Sequence, residues 1–515
     1  MSATTPLKGS QLLFGTLSLS LVNFMVILDM TIANVAVPHI AGNLAASPNQ
    51  GTWVITSYAV AEAITVPLTG WLAQRFTQVR LLITCILLFT LASILCGIST
   101  SLEMLIVARI LQGLAGGPIM AMTQTLLLAS FPREKAGVAM GMFAMTTLLA
   151  PVLGPIIGGT LVDNISWHWI FFINIPVGII CATLVWSLYH KRNTDAHKLP
   201  IDYTGLILLV LFVGCLQFIL DKGREVDWFG SPMIIALAVI SGLSFVTLLI
   251  WELTDDHPVV DLRLFAIRNV SVGIFSLAAM FAVMFGGIVL LPLWLQTQMG
   301  YTSISAGLAI APMGVGAVLA APLAGKLSAS VDPRKMMTAG VACMMGAFFM
   351  RSSFNTDADF WTIAMPQFLQ GFGMPLVFMP GTILATTSVG PNKVASVAGL
   401  QNFIRTTAGA FGAAITNTYW DDEITQHRAD LVANTAVGSP NYDQWAQTVA
   451  TQGFSTDQSL FLIDRTVQGQ AVMLATNQYF SMATLALLAV VVIVWMAKPA
   501  PMTAAGAKAA AAAAH

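Results

Sequence analysis

Charged side chains are scarce in this sequence. Asp, Glu, Lys and Arg make up 9% of the 515 residues, whereas apolar residues make up 56% and the mean hydropathy is +0.78. This composition excludes an ordinary soluble enzyme and predicts a polytopic membrane protein. The net charge of −1 says nothing about partners, because in such proteins the distribution of charge among loops is informative. No nucleic acid is expected among the partners.

Residue patterns for metal, disulfide and ATP chemistry are also lacking. All five cysteines lie in apolar runs, so neither a disulfide framework nor a metal site is expected. The seven histidines lie at span ends or in loops without metal-ligand spacing, which disfavours a membrane-embedded enzyme. No G-x-x-x-x-G-K-[ST] segment occurs, and its absence disfavours an ATP-driven pump. We expect no cofactor.

Long apolar runs are abundant instead. Runs of about 18 residues or more, each able to cross the hydrocarbon core as a helix, occur fourteen times. The predicted spans are 12–36, 53–73, 81–99, 103–129, 138–161, 169–189, 203–220, 233–251, 270–296, 305–327, 335–351, 361–387, 395–418 and 476–497. If both termini are cytoplasmic, 16 of the 23 basic residues fall on the cytoplasmic side, as the positive-inside rule requires.

The sequence repeats itself at a spacing typical of duplicated transporter halves. Residues 67–72 (PLTGWL) recur as 322–327 (PLAGKL), and 111–113 (LQG) recur as 369–371. The spans at 203–251 then form an insertion, which gives an all-α arrangement of 6 + 2 + 6 helices. The predicted domains are a first bundle at 1–200, the inserted pair at 201–255, a second bundle at 256–500 and a low-complexity tail at 501–515.

Ionisable residues inside the predicted spans are the main functional candidates. Asp29, Glu62 and Arg109 lie in the first half, and Arg405 lies in the thirteenth span. Charges at membrane depth are costly and usually belong to ion or proton pathways, although a purely structural ion pair or a hydrogen-bonded interface glutamate is the alternative. When Pro38 is aligned with Pro292, Val283 takes the place of Asp29, so the halves differ chemically.

The fifth span carries the most specific pattern, A-P-V-L-G-P-I-I-G-G at 150–159. Ala150, Gly154 and Gly158 form a smooth stripe at four-residue spacing, on which another helix can pack closely. An adjoining stripe consists of Pro151, Pro155 and Gly159, and its prolines predict a kinked helix.

These motifs together resemble those of a known family. Residues 28–38, the 70–75 loop (GWLAQR), Arg109 with residues 112–113, and residues 154–159 (GPIIGG) are similar to the signature motifs of fourteen-span drug:proton antiporters of the major facilitator superfamily. Residues 221–229 and 251–256 resemble the EmrB subgroup. In the loop motif, Gly70, Arg75 and Arg80 match, whereas Gln74 and Thr77 stand where the family usually has Asp and Gly.

The resemblance to this family implies a fold, a transport mechanism, an energy source, a location, partners and a cargo. It implies two six-helix bundles around a central cavity, alternating access and the proton gradient as energy source. The position of charged residues inside the spans makes Asp29, Glu62, Arg109 and Arg405 the candidate coupling residues. The resemblance further implies the inner membrane of Gram-negative bacteria, a periplasmic adaptor and an outer-membrane channel as partners, and lipophilic drugs as cargo. Export of an endogenous metabolite or siderophore is the nearest alternative, and a channel is disfavoured by the unequal halves.

Two further expectations concern the cargo pocket and the longest polar stretch. A pocket for lipophilic cargo needs apolar and aromatic walls with few polar groups. The candidates by position are Asn34, Gln112, Trp294, Gln296, Phe378, Gln401, Asn402 and Phe403. The polar stretch 419–475 has a net charge of −5 and is expected to form a periplasmic loop with a short amphipathic helix presenting Leu460, Ile463 and Val467. This loop could dock a partner or lie on the pump itself.

Overall fold

The structure is a computed structural model. It describes residues 7, 9–132, 136–192, 200, 202–255, 258–328, 330–355, 358–390, 393–434, 442–443 and 456–499. The predicted tail at 501–515 and most of the segment between 434 and 456 lie outside the described residues.

The described chain is almost entirely helical, as the long apolar runs predict. Apart from short helical turns, the helices are α1 Gly9–Asn43, α2 Trp53–Thr65, α3 Thr69–Phe76, α4 Gln78–Gly97, α5 Leu102–Ser130, α6 Ala136–Asn164, α7 Asn174–Tyr189, α8 Tyr203–Lys222, α9 Pro232–Thr254, α10 Arg268–Thr297, α11 Ser303–Ile310, α12 Pro312–Leu327, α13 Pro333–Arg351, α14 Phe360–Thr387, α15 Val394–Asn434 and α16 Thr456–Trp495.

The number of membrane-length helices is smaller than predicted. Ten stretches of the described chain are long and apolar enough to cross a membrane, and α6 makes eleven if its two bent halves count as one span. The predicted span 53–73 is broken around Pro67, which lacks the N–H needed to continue a helix. The predicted spans 335–351 and 395–418 are missing from this set because they are too polar. Helix α13 carries charges at both ends, and α15 contains Gln401, Asn402 and Arg405.

Helix contacts build each half from its own spans. In the first half α1 packs on α6, and α5 packs on α2 and α4. In the second half α10 packs on α15, while α14 packs on both α12 and α13. The inserted helices α8 and α9 pack on each other, and α8 also lies against α2 and α15. The halves meet where α6 contacts α12 and α14, and where α3 and α5 contact α15.

The predicted loop 419–475 is largely helical in its described parts. Helix α15 runs on to Asn434, and α16 begins at Thr456, so the expected short amphipathic helix is the start of a 40-residue helix. Arg428 and Asp464 form an ion pair of 2.8 Å between these extensions. Trp420 donates a 3.0 Å hydrogen bond to Thr476. We call residues 419–434 and 456–475 the helical extensions.

Candidate functional site

A buried ion pair lies at the centre of the first half. Asp29 on α1 is 2% exposed, and Arg109 on α5 is fully buried. Arg109 Nη1 donates to Asp29 Oδ2 at 2.6 Å. The other carboxylate oxygen, Oδ1, accepts from Gln112 Nε2 at 2.9 Å and from Asn174 Nδ2 at 2.6 Å. The carboxylate is thus fully partnered, as a charge in a low-dielectric interior must be.

The guanidinium of Arg109 is held from several sides. Its Nε donates to the carbonyl of Val54 at 3.1 Å, where the start of α2 approaches α5. Its Cζ lies 4.2 Å from the centre of the Tyr58 ring and 5.6 Å from that of Phe171, so the cation is stacked on aromatic faces. Nη2 is buried without an acceptor, and so is the Tyr58 hydroxyl. Two unused polar groups therefore adjoin the ion pair.

Further hydrogen bonds hold the amides of Gln112 and Asn174 in place. Ser93 Oγ accepts from Gln112 Nε2 at 2.8 Å and from Asn174 Nδ2 at 3.3 Å. Gln112 Oε1 accepts from Arg109 Nη1 at 2.8 Å, which orients its amide nitrogen toward Asp29. Sequence reasoning missed Asn174 and Ser93, although an asparagine flanked by Ile173 and Ile175 is a detectable signal. It also grouped Gln112 with the cargo pocket, whereas the structure places this side chain on Asp29.

The other two predicted coupling residues lie toward the interface between the halves. Glu62 on α2 is partly exposed, and it interacts electrostatically with Arg109 and Arg405. Arg405 on α15 is buried, and its Cζ lies 4.8 Å from the Phe281 ring centre and 5.4 Å from that of Phe378. Its Nε and Nη1 have no acceptor in the described part of the chain. A cation of the second half therefore faces an acid of the first.

Side chains around Arg405 join the two halves. Arg405 Nη2 lies 3.1 Å from the sulfur of Met120, and Phe143 stacks on Phe378 with ring centres 6.0 Å apart. Asn402 Nδ2 donates to Gln124 Oε1 at 2.9 Å. The interface thus combines aromatic faces with a few polar groups, the composition expected of a pocket for lipophilic molecules.

The predicted cargo residues fall into several environments. Phe378 and Asn402 lie at this interface, and Gln401 is buried with its amide donating to Thr382 at 2.8 Å. Phe403 belongs to an apolar cluster shared with the inserted helices. The remaining three lie elsewhere: Trp294 is buried inside the second half, and Asn34 and Gln296 are exposed.

The small-residue stripe on α6 packs against α1. The Thr31 hydroxyl reaches the carbonyl of Ala150 at 3.4 Å, and a Cβ at Gly154 would lie 2.8 Å from Thr31 Cβ. A Cβ at Gly158 would lie 3.3 Å from a methyl of Ile32. The stripe therefore contacts the helix that carries Asp29, two and three residues beyond the carboxylate.

The opposite side of α6 reaches the second half. A Cβ at Gly314 of α12 would lie 2.9 Å from Leu149, and one at Gly307 of α11 would lie 3.5 Å from Ile156. The helix bends by 41° between residues 139–151 and 156–164, at the predicted Pro151 and Pro155. No atom of the described residues lies within 4 Å of a Cβ at Gly159. The side chain of Pro155 lies outside the described residues. Helix α6 thus joins the helix carrying the acid to the partner half.

The 70–75 loop motif lies where α3 meets the start of α15. A Cβ at Gly70 would lie 2.7 Å from the Cα of Ser396, so only glycine permits this approach. Arg75 stacks over Trp71 at 5.4 Å, and Arg80 is exposed. Thr77 has a φ of +71°, a conformation that favours glycine, which the family usually has there.

Enlarging Gly70 is expected to keep α3 and the start of α15 from packing together. The Gly70→Val side chain would collide with the α15 backbone, so we expect transport to fall roughly tenfold because the helices must separate. In a background without the five native cysteines, spin labels at the exposed positions 74 and 393 would report a longer distance. Gly42→Val is the matched control, because nothing lies within 4 Å of a Cβ there. An unchanged label distance in Gly70→Val would contradict this prediction.

A family model and several known proteins match this sequence over most of its length. The model of the Major Facilitator Superfamily matches residues 19–413. The multidrug export protein EmrB of Haemophilus influenzae is 42% identical over 495 residues, which cover 96% of this chain and 97% of the relative. EmrB of Escherichia coli K12 is 41% identical over 500 residues, covering 97% and 98%. The fatty acid resistance protein FarB of Neisseria gonorrhoeae is 42% identical over 494 residues, covering 96% and 97%.

Solved structures confirm the fold. The proton:xylose symporter XylE superposes with a TM-score of 0.55 at 13% identity, covering 92% of this chain and 95% of the symporter. The human organic anion transporter MFSD10 gives a TM-score of 0.53 at 13% identity, covering 92% and 98%. Together with the close relatives, these similarities confirm the family predicted from the motifs. The chain belongs to the major facilitator superfamily and, within it, to the EmrB-type multidrug export proteins.

Proposed function

We propose that this protein is a proton-coupled exporter of lipophilic drugs that works by alternating access. Its fourteen spans are arranged 6 + 2 + 6 in the bacterial inner membrane, with both termini in the cytoplasm. The observation that carries the proposal is the buried ion pair of Asp29 and Arg109. Both residues lie in the first half of the protein. A carboxylate so enclosed can exchange a proton only when the surrounding helices rearrange, and that dependence is the requirement for coupling.

A path from the acid to the interface supports the coupling. Asp29 and Thr31 share α1, and Thr31 packs against Gly154 of α6, whose far side contacts the second half. A shift of α1 on protonation would therefore move α6 against α12. With both termini cytoplasmic, the end joined by Gly70 and Ser396 faces the cytoplasm, so this conformation is closed there.

The interface favours lipophilic cargo that carries some polarity. The rings of Phe281 and Phe378 adjoin the Arg405 guanidinium, and the ring of Phe143 stacks on Phe378. The names of the relatives, multidrug export and fatty acid resistance, agree with apolar or amphiphilic molecules. Rings stack on flat apolar molecules of many shapes, which suits a broad range of cargo.

Reconstitution into liposomes tests the function. The purified protein should concentrate a lipophilic fluorescent dye against its gradient when a pH difference is imposed across the membrane. Collapse of the pH difference with nigericin should stop the accumulation. Dye movement that ignores the pH difference, or that only runs downhill, would contradict proton-coupled export.

The helical extensions are the proposed contact for a periplasmic adaptor leading to an outer-membrane channel. They present apolar side chains to solvent: Leu460 is 40% exposed and Phe461 is 66% exposed. Exposed large apolar side chains on a rigid support mark interaction surfaces. The extensions are also fixed to the inserted pair, since Arg224 forms an ion pair with Asp421.

Removing this apolar surface should separate drug resistance from transport. We expect the double substitution Leu460→Ser and Phe461→Ser to reduce adaptor co-purification and resistance in intact cells roughly tenfold, because central apolar contacts dominate interfaces. Exchange of drug for protons in liposomes should persist. Phe229→Ser, at an equally exposed position between the inserted helices, is the matched control. If Phe229→Ser lost adaptor co-purification while the double variant retained it, the adaptor would bind at the inserted helices α8 and α9 instead.

A further inference from the structure

The second half contains a buried arginine without a carboxylate partner. Arg351, the last residue of α13, is 1% exposed. Its Cζ lies 5.1 Å from the ring centre of Phe348 and 5.5 Å from that of Phe480. Its Nη2 donates to Gln370 Oε1 on α14. Within the described parts of the chain, no acid forms an ion pair with it. A buried guanidinium in this position retains most of its desolvation cost.

Unused hydrogen-bond donors lie on the guanidinium itself, on its partner Gln370 and on residues near both. Arg351 Nε, Gln370 Nε2 and Gln367 Nε2 are all buried without an acceptor among the described residues. Gln367 lies one turn from Gln370 on the same face of α14. Trp294 Nε1 is also unpartnered, and its ring stacks on Phe354, the residue whose backbone N–H bonds to the Arg351 carbonyl. The unused atoms of Arg351, Gln367, Gln370 and Trp294 are all N–H donors, whereas the unpartnered Oδ1 of Asn477, whose amide donates to the Phe354 carbonyl, is a neutral acceptor. Among the described residues the cluster therefore has a positive charge and no negative one.

The first half shows what such a cluster requires. The repeat that pairs 111–113 with 369–371 makes Gln370 the counterpart of Gln112. Gln112 bonds to both Arg109 and the Asp29 carboxylate, whereas Gln370 bonds only to Arg351. The position equivalent to Asp29 is Val283, whose carbonyl accepts from the Tyr479 hydroxyl at 3.0 Å. The first half thus carries its anion on the chain, whereas the described residues of the second half place no carboxylate beside Arg351.

We propose that the Arg351 cluster binds a small monovalent inorganic anion such as chloride. One guanidinium calls for one negative charge, and a spherical acceptor satisfies several N–H donors without a demand on their angles. The cluster lies at the end of α13 nearest the segment leading to α14, which the predicted topology places on the periplasmic side. Chloride would stabilise the packing of α13 on α14 without taking part in the exchange of drug and proton.

Anion dependence of the purified full-length protein tests this site. At constant ionic strength, replacing gluconate with chloride should raise the melting temperature of the unsubstituted protein by about 2 to 4 °C, saturably. Chloride-35 NMR should show line broadening on addition of the protein. Arg351→Met, which keeps the apolar stem, should abolish both effects. Arg465→Met, at an exposed arginine, is the matched control and should retain both.

A gain of charge on the chain provides a second, independent test. Gln370→Glu places a carboxylate beside Arg351, so its melting temperature in gluconate should match that of the unsubstituted protein in chloride. Chloride should then add nothing. An equal response to chloride in Arg351→Met and in the unsubstituted protein would overturn the proposal. So would a loss of the response in Asp357→Asn, because the counterion would then be part of the chain.

Discussion

Replacing Asp29 with asparagine is expected to abolish proton-driven efflux, with a loss of roughly 100-fold or more in uphill transport. The asparagine amide preserves the size of the side chain but can neither bind nor release the coupling proton. Arg109 keeps its bond to Val54 and its stacking on Tyr58, so the bundle should remain folded and should still bind drug. Loss of transport with binding retained would identify Asp29 as the coupling residue.

The measurement is dye accumulation in liposomes with an imposed pH difference, beside equilibrium binding of the same dye in detergent. Asp163→Asn is the matched control, since it makes the same chemical change at a side chain that is 64% exposed near the end of α6. That variant should transport normally. Undiminished uphill transport by Asp29→Asn would show that the ion pair with Arg109 is only structural.

Enlarging Gly154 is expected to block the exchange of conformations. A leucine there must displace Thr31, because even its Cβ would overlap that side chain. Overpacking of a close helix contact costs about 1 to 3 kcal/mol, enough to slow exchange by roughly tenfold or more where the contact must re-form in every cycle. Transport should therefore be lost while drug binding is retained.

The adjoining stripe on the same helix offers a matched control. Gly159→Leu adds the same bulk five residues away, where nothing lies within 4 Å of a Cβ. Its transport should remain close to normal. If Gly154→Leu also transports normally, the stripe on α6 is ordinary packing with no part in gating.

The sequence predicted the charged core of the site but not its amide partners. Asp29 and Arg109 could both be identified in advance because charged residues inside apolar spans are rare, but the sequence left Asp29 and Glu62 as possible partners of Arg109. Gln112 was grouped with the cargo pocket because its position along α5 does not reveal which neighbouring helix it faces. Asn174 was missed because an amide between two isoleucines signals a polar contact without showing its partner, and only the packing of α7 brings this amide within 2.6 Å of the carboxylate.

The helical composition and the family were predictable, whereas the extent of individual helices was not. Hydropathy marks where a chain can enter the membrane, so it ends a predicted span where polar residues begin. Helix propensity does not end there. The stretch 419–434 is polar but contains no proline or glycine, and α15 continues through it. Only the contacts of α16 with α15 show that both extensions are supported beyond the apolar part of the bundle.

Because α15 is continuous, a movement of its buried part is transmitted to its far end. From the buried Arg405 to Asn434 the helix is uninterrupted, a length of about 44 Å at 1.5 Å per residue. A rigid-body rotation of about 15°, the size seen between haemoglobin subunits, would displace its tip by about 11 Å. The tip is braced by Arg428 and Asp464, so it would move together with the start of α16. A small rotation of α15 at its buried end during each transport cycle would thus become a larger displacement of its tip outside the bilayer. A protein bound to the tip would be moved with it.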